Sequence, residues 1–316
     1  MPTVTGIHHV TALTSDGQKN IDFYTGVLGL RLVKVTVNFD DPQSYHLYYG
    51  TERGDPGTGM TLFVWPGAHE GRHGVGEVAA TAFSVPMDAI DFWRARLELF
   101  DVAIDVAATR FGERVIAARD PDGLRFELVA NANDLRQPWI ESDVPGEHAI
   151  RGFHSIALAE EGYEQTAELL SATLGFRAVG GDGNRFRFVA GDEAGGVVDV
   201  VCTPGSRRGA YGAGIVHHVA FRTPDDAQQK AWREMLAAQK FNVSPVMDRL
   251  YFHSIYFREP GGVLFEIATE GEGFTIDEPV ESLGTSLRLP PMHEPMRKEI
   301  EASLPKLRLP SGVVVP

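Results

Sequence analysis

Two His-His dipeptides and one strand-borne glutamate carry most of the chemistry that this 316-residue sequence can do. His8-His9 lies in Gly6-Ile7-His8-His9-Val10-Thr11, and His217-His218 lies in Ile215-Val216-His217-His218-Val219-Ala220-Phe221. Glu266 lies in Leu264-Phe265-Glu266-Ile267. Each run is short and apolar, as a buried strand is. Imidazole is costly to bury without a partner, so two adjacent copies on each of two apolar strands need a reason. Two imidazoles and a carboxylate converging from different strands make a three-ligand metal site with open positions. That facial arrangement is the one associated with non-haem Fe(II) and oxygen chemistry.

The elements that must position these residues belong to an internal repeat. Gly6-Ile7-His8-His9-Val10 matches Gly152-Phe153-His154-Ser155-Ile156, and Gly26-Val27-Leu28-Gly29-Leu30-Arg31 matches Ala172-Thr173-Leu174-Gly175-Phe176-Arg177, with no gap between the two matches. Gly76–Phe83 matches Gly214–Phe221, and Asp120–Leu128 matches Glu259–Ile267, with a single-residue indel. The chain therefore reads as four related modules, each a strand, a helix and three further strands. That is an α+β fold of four βαβββ modules in two tandem halves that form open half-barrels. Residues 1–135 hold modules one and two, and 150–275 hold modules three and four. Residues 276–316 form a Pro-rich tail, with a helical piece from Glu294 to Leu304, that packs on the body. In module one a helix over 17–28 should stop at Gly29, a C-cap signal. A polar linker over 131–150 joins the halves.

The duplication acts as an internal control. Generic packing histidines would survive in both halves, and these do not. Module three has His154-Ser155 where module one has His8-His9, and module two has Ala79-Ala80 where module four has His217-His218. Pairing module one with module four unites His9, His218 and Glu266. Pairing module two with module three unites Ser155, Ala80 and Glu127, which cannot hold a metal alone. The chain thus carries one live site and one emptied copy. Strand alternation sends adjacent side chains to opposite faces, so His9 and His218 are expected to face the cup and His8 and His217 to flank it.

Composition excludes several other classes. The net charge of −14 repels phosphate backbones, so nucleic acid is not expected as a partner. No apolar run is long enough to span a membrane, and the N-terminus lacks a signal-peptide pattern. One cysteine, Cys202, permits no internal disulfide, which fits a reducing cytoplasm, and its apolar surroundings read as a buried small hydrophobe.

The pattern resembles the vicinal oxygen chelate superfamily of metal enzymes. Within it, Gly6–Thr11, Phe23–Arg31, Val37–Pro42 and Arg249–Glu266 look like ring-cleaving dioxygenases of the hydroquinone type, over nearly the whole chain. The resemblance implies Fe(II) held by His9, His218 and Glu266, with Mn(II) or Zn(II) as alternatives in isolated protein. It implies extradiol-type cleavage of a hydroquinone-like or catechol-like aromatic by O2, and a homodimer or higher oligomer. It also implies pocket residues at His8, Thr11, His217, Arg249 and Tyr256. In that reading His8 and His217 move the substrate proton, Arg249 and Tyr256 face the reacting oxygens, and Thr11 touches substrate. The plainer readings are satisfied core histidines, a salt bridge from Arg249 to Asp248 or another surface acid, a half-buried strand tyrosine and a β-branched strand residue. His46, His69, His73, His148, His253 and His293 show no partner pattern and read as surface or structural. Competing functions are a glyoxalase-type isomerase or lyase, which wants a fourth ligand that Met60–Val64 does not offer, a thiol-transferring resistance enzyme, and a metal-free binder of small aromatics.

Overall fold

A computed structural model describes residues 2–316. Module one comprises β1 (Ile7–Thr14), α1 (Gly17–Ile21), β2 (Arg31–Asn38), β3 (Asp41–Gly50) and β4 (Gly59–Val64). Module two comprises β5 (Glu77–Val85), α2 (Ile90–Leu99), β6 (Ile104–Arg110), β7 (Glu113–Arg119) and β8 (Arg125–Ala130). Module three comprises β9 (Gly152–Glu160), α3 (Glu164–Glu168), β10 (Arg177–Asp182), β11 (Arg185–Val189) and β12 (Val197–Cys202). Module four comprises β13 (Val216–Thr223), α4 (Asp226–Ala238), β14 (Met247–Asp248), β15 (His253–Arg258) and β16 (Leu264–Thr269).

The first helix begins where Asp16 accepts the backbone N–H groups of Gln18 and Lys19. Past Ile21 it widens into a π-helical turn, Asp22–Val27, and it ends before Gly29, whose φ of +68° suits glycine. The wider turn buries the adjacent Phe23 and Tyr24 together. Module three repeats the device with a π turn at Leu169–Thr173.

The strands form two eight-stranded sheets. One runs β14-β15-β16-β13-β1-β4-β3-β2, and the other β10-β11-β12-β9-β5-β8-β7-β6. In the first, β1 and β13 are antiparallel neighbours at the centre, each flanked by a parallel strand of its own module. Module one thus pairs with module four, and module two with module three. The sequence halves are not spatial units, because each sheet takes one module from each half. Trp93 on α2 and Trp232 on α4, equivalent positions in the repeat, are both fully buried against the sheets.

The linker has no regular element yet packs closely. Arg136 donates to the carbonyls of Gly57 (3.0 Å) and Phe153 (2.6 Å), tying module one to module three. The tail buries Leu287, Leu289, Ile300 and Leu304 in the main core. Arg288 N–H donates to Val35 C=O at 2.9 Å, so the tail lies along module one. α5 (Arg297–Ser303) is its helical piece. Cys202 ends β12 half-buried, more open than its apolar run suggests. Among the described residues no helix is long and apolar enough to cross a membrane.

Candidate metal centre

The site begins with a break in strand regularity. Opposite β13, the register moves from Ile7↔Phe221 to His9↔Ala220, so His8 is an extra residue in a β-bulge. It shifts again from Thr11↔His218 to Ala12↔Val216, which makes His217 the bulged residue of β13. A bulge re-aims its side chain. The expected alternation to opposite faces therefore fails at both His pairs. Instead the Nδ1 atoms of His8 and His9 lie 2.9 Å apart, and those of His217 and His218 lie 2.8 Å apart.

His9, His218 and Glu266 meet at the centre of the sheet, and all three are buried. His9 Nε2 is 3.3 Å from His218 Nε2, and Glu266 Oε2 is 3.4 Å and 3.0 Å from these two nitrogens. Donors about 2.1 Å from one ion stand about 3.0 Å apart at right angles and about 3.4 Å apart at tetrahedral angles. The observed spacings fall in that interval. Ser254 donates to Glu266 Oε1. Among the described residues Oε2 has no hydrogen-bond partner that meets the geometry of one, despite its nearness to both imidazoles. An orphaned, fully buried carboxylate oxygen facing two ring nitrogens is what a metal site looks like when its donors point at a common centre. Burial pushes the Glu266 carboxyl up, but His9 and His218 outweigh it and hold the group well below the ordinary carboxylate range. Burial lowers His218, with Glu266 opposing. Glu266 is thus an ionised carboxylate and His218 a neutral imidazole, the ligating forms of each.

The partners of the ligands decide the tautomers. His8 Nε2 is 3.1 Å from Thr269 C=O, which can only accept, so that nitrogen carries the proton. His8 Nδ1 is then an acceptor for His9 Nδ1–H, which leaves the His9 Nε2 lone pair free. Burial chiefly, and then His9, lowers His8 to about 3, so it stays neutral. His217 also falls to about 3, through burial and His218. His8 lies behind the triad against Phe252, with ring centroids 4.9 Å apart. His217 faces the cavity in front.

That cavity has a volume of about 310 Å³, at the small end of the range for ligand pockets. Phe39, Phe63, Trp65, Phe252 and Leu264 give it apolar walls. Its polar groups include His46, Tyr48, His217, Arg249 and Tyr256, with Asn38 and Asp40, beside His9 and His218. Arg249 donates to Tyr256 Oη at 3.3 Å and pairs with Asp40 at 3.0 Å, not with Asp248. Tyr256, opposite Glu266 in the β15–β16 ladder, accepts from Arg249 and keeps its own proton to donate. Burial first, and then Glu266, raises its hydroxyl. Thr11 does not line the cavity. It is fully buried, with its hydroxyl 2.8 Å from that of Thr61.

His46 is neither surface nor isolated. It is 8% exposed, lines the cavity, and links Tyr48 Oη to Thr61 Oγ1 at 2.8 Å each. Burial, and then His9 and His218, lowers it well below the ordinary imidazole value. Tyr45-His46-Leu47-Tyr48 does carry a signal for this pair, since residues two apart share a strand face.

The second sheet repeats the bulges, at Ala79 and His154, but not the chemistry. Glu127 is held by both terminal nitrogens of Arg110, at 3.0 and 2.8 Å, and lies 3.5 Å from Arg125. Where module one has His46, Tyr48 and Thr61, module three has Arg185, Arg187 and Asp199, joined as ion pairs. His154 bonds Ser155 and Glu113.

Comparison with known proteins follows the same lines. The family model of the Glyoxalase/Bleomycin resistance protein/Dioxygenase superfamily matches residues 6–128 and 152–267. The chain is 46% identical over 299 residues to "Putative ring-cleaving dioxygenase MhqO" of Bacillus subtilis (strain 168), covering 95% of each chain. It is 36% identical over 312 residues to "Chlorohydroquinone/hydroquinone 1,2-dioxygenase" of Sphingobium indicum, covering 94% of this chain and 95% of the relative. A crystal structure of a "putative dioxygenase" from Bacillus subtilis superposes with a TM-score of 0.93 at 45% identity, over 96% of this chain and 98% of that one.

Proposed function

The chain belongs to the Glyoxalase/Bleomycin resistance protein/Dioxygenase superfamily, and from that premise we propose that it is a ring-cleaving dioxygenase. In this reading it holds one Fe(II) on His9, His218 and Glu266 and opens hydroquinone-like rings with O2. The observation that carries the reading is Glu266 Oε2, buried and, among the described residues, without a hydrogen bond, between two imidazole nitrogens whose rings line an aromatic cavity. Three protein donors leave positions open for substrate and oxygen. Bound iron would acidify the phenol and supply the one-electron chemistry that O2 requires.

The protein's own groups do the rest. Phe252, Phe39 and Trp65 enclose the ring and exclude water. Tyr256 donates its hydroxyl proton to a substrate oxygen, and Arg249 places a fixed cation beside it. Asp40 anchors Arg249 from the cavity wall. His217, neutral and facing the cavity, offers its Nε2–H to the same region. Tyr48 and His46 present polar groups within an otherwise apolar wall, suited to a ring hydroxyl remote from the metal. The relative from Sphingobium indicum, whose name specifies hydroquinones, supports a para-diol over a catechol.

A glyoxalase-type isomerase fits less well. Its fourth ligand would come from β4, where Thr61 bonds Thr11 and His46 and no acid is present. Among the described residues the one group of three or more metal-ligating side chains is His9, His218 and Glu266. The test is anaerobic reconstitution with Fe(II), then oxygen uptake on a panel of dihydroxybenzenes. Uptake with hydroquinones under Fe(II), and none under Zn(II), is expected. Stoichiometric Fe(II) with no uptake on any diol would refute the reading.

A further inference from the structure

A second cavity of about 300 Å³ lies on the far side of His217. His217 and Leu264 line both it and the aromatic cavity, so the two adjoin. Its character is the opposite. Arg208, Arg258, Tyr211 and Glu77 face it. Arg208 forms no ion pair among the described residues, and its guanidinium lies where a side chain on Gly262 would stand, 1.8 Å from that position. Among the described residues Arg258 is spent only on neutral oxygens, Gly262 C=O at 2.8 Å and Tyr211 Oη at 3.4 Å. Glu77 is 6% exposed, and its Oε2 has no partner among the described residues. Buried polar atoms without partners ask for a ligand. Two guanidinium groups that form no ion pair among the described residues can take an anion.

We propose that this cavity is a carboxylate subsite that receives the ring-opened product. The assignment rests on the ring-cleavage reading above. A hydroquinone is neutral, and the reaction makes it an acid. The ring bond between the hydroxyl-bearing carbon and its neighbour breaks. One atom of O2 ends on the first carbon, which becomes a carboxylic acid, and the other on the second, which becomes an aldehyde. The ring supplies the electrons that reduce O2, and the acid proton is released to water. The second ring hydroxyl survives as an enol. The product therefore carries a new carboxylate and a hydroxyl donor at once. Arg208 and Arg258 match the first, and Glu77 Oε2 accepts from the second. An aromatic cavity that suits the neutral ring is a poor place for the carboxylate, and the cationic cavity next to it draws the product out past His217.

The experiment uses cis,cis-muconate, a stable six-carbon conjugated carboxylate, as probe in calorimetric titrations of the full chain. Wild type and His9→Ala should bind it alike, because the subsite does not depend on the metal. Arg208→Gln/Arg258→Gln should weaken it by about tenfold or more, the loss expected for charge-assisted hydrogen bonds. In initial-rate assays that double variant should keep KM for neutral hydroquinone within about twofold while product inhibition weakens in step. Circular dichroism and Tm confirm folding, and both arginines are exposed, so the variant is not expected to unfold. Muconate binding that is absent, or unchanged in the double variant, overturns the subsite. Intact muconate binding without any oxygen uptake on hydroquinones instead overturns the reaction reading and its assignment of the product, and leaves the anion site in place.

Discussion

Replacing His8 by phenylalanine tests whether the bulged histidine sets the ligand behind it. The ring slot against Phe252 is kept, and the acceptor for His9 Nδ1–H, 2.9 Å away, is lost. The cost falls on the metal-bound state. Without metal, His9 can move its proton to Nε2, which lies within hydrogen-bond distance, 3.3 Å, of His218 Nε2. With metal, Nε2 must be bare and Nδ1 must carry the proton into a buried space with no acceptor. A buried donor left unpaired costs about 1–3 kcal/mol, or roughly 5- to 150-fold in affinity. Outer-shell changes at metal-bound histidines typically cost about 10- to 100-fold, and the two figures agree. His217→Phe should cost less, about threefold, because that ring borders the open cavity and water can replace it. The assay is titration of metal-free protein with Co(II) or Zn(II) against a chromophoric chelator, with no turnover needed. A folded His8→Phe protein that binds metal within about twofold of wild type would refute the tautomer argument.

Glu266→Ala should abolish stoichiometric metal binding by elemental analysis. Glu127→Ala should leave binding intact yet lower stability by about 3 kcal/mol in urea titrations, since it strands Arg110 and Arg125 in the second sheet. His46→Ala should raise KM for hydroquinone more than it lowers kcat, because His46 orders Tyr48 and touches no metal ligand by hydrogen bond; an unchanged KM would remove it from the site. Burial, and then Asp122, lifts the Asp120 carboxyl from 3.8 to about 7. The folded state therefore holds a proton that the unfolded state has lost, and stability falls as pH rises from about 4 to 7, by on the order of 3–4 kcal/mol. Asp120→Asn should flatten that slope in Tm measured from pH 4.5 to 8, and an unaltered slope would assign the effect elsewhere.

The repeat was legible because it is written in strand-ending and strand-starting motifs that survive divergence. It led directly to the pairing of module one with module four, and so to the triad. The bulges were not legible. Alternation assumes a regular pleat, and no residue in Ile7-His8-His9-Val10 signals an inserted one, so His8 and His217 read as facing away from the ligands that they in fact touch. His46 was missed for a related reason. The matched stretches of the repeat stop at Arg31 and Arg177, short of this strand, and the equivalent position in module three is Arg185, part of an ion pair. A search for polar residues two apart on one strand would have found His46 with Tyr48 where a search for copies does not.

The bulges and the glutamate occur in both sheets, so the fold supplies the same buried carboxylate twice and leaves its countercharge open. A buried carboxylate needs one. In the second sheet Arg110 supplies it by a two-pronged contact with Glu127. Its equivalent in the first sheet is Arg249, and it does not reach Glu266. Asp40 and Tyr256 hold it along the cavity wall instead. What keeps the first cup free for a metal is therefore as much the detention of Arg249 as the presence of His9 and His218. The same detention leaves the guanidinium where a substrate oxygen would meet it. One arginine position thus distinguishes a filled ion-pair core from a cup with three donors and a nearby cation, on strands of the same design.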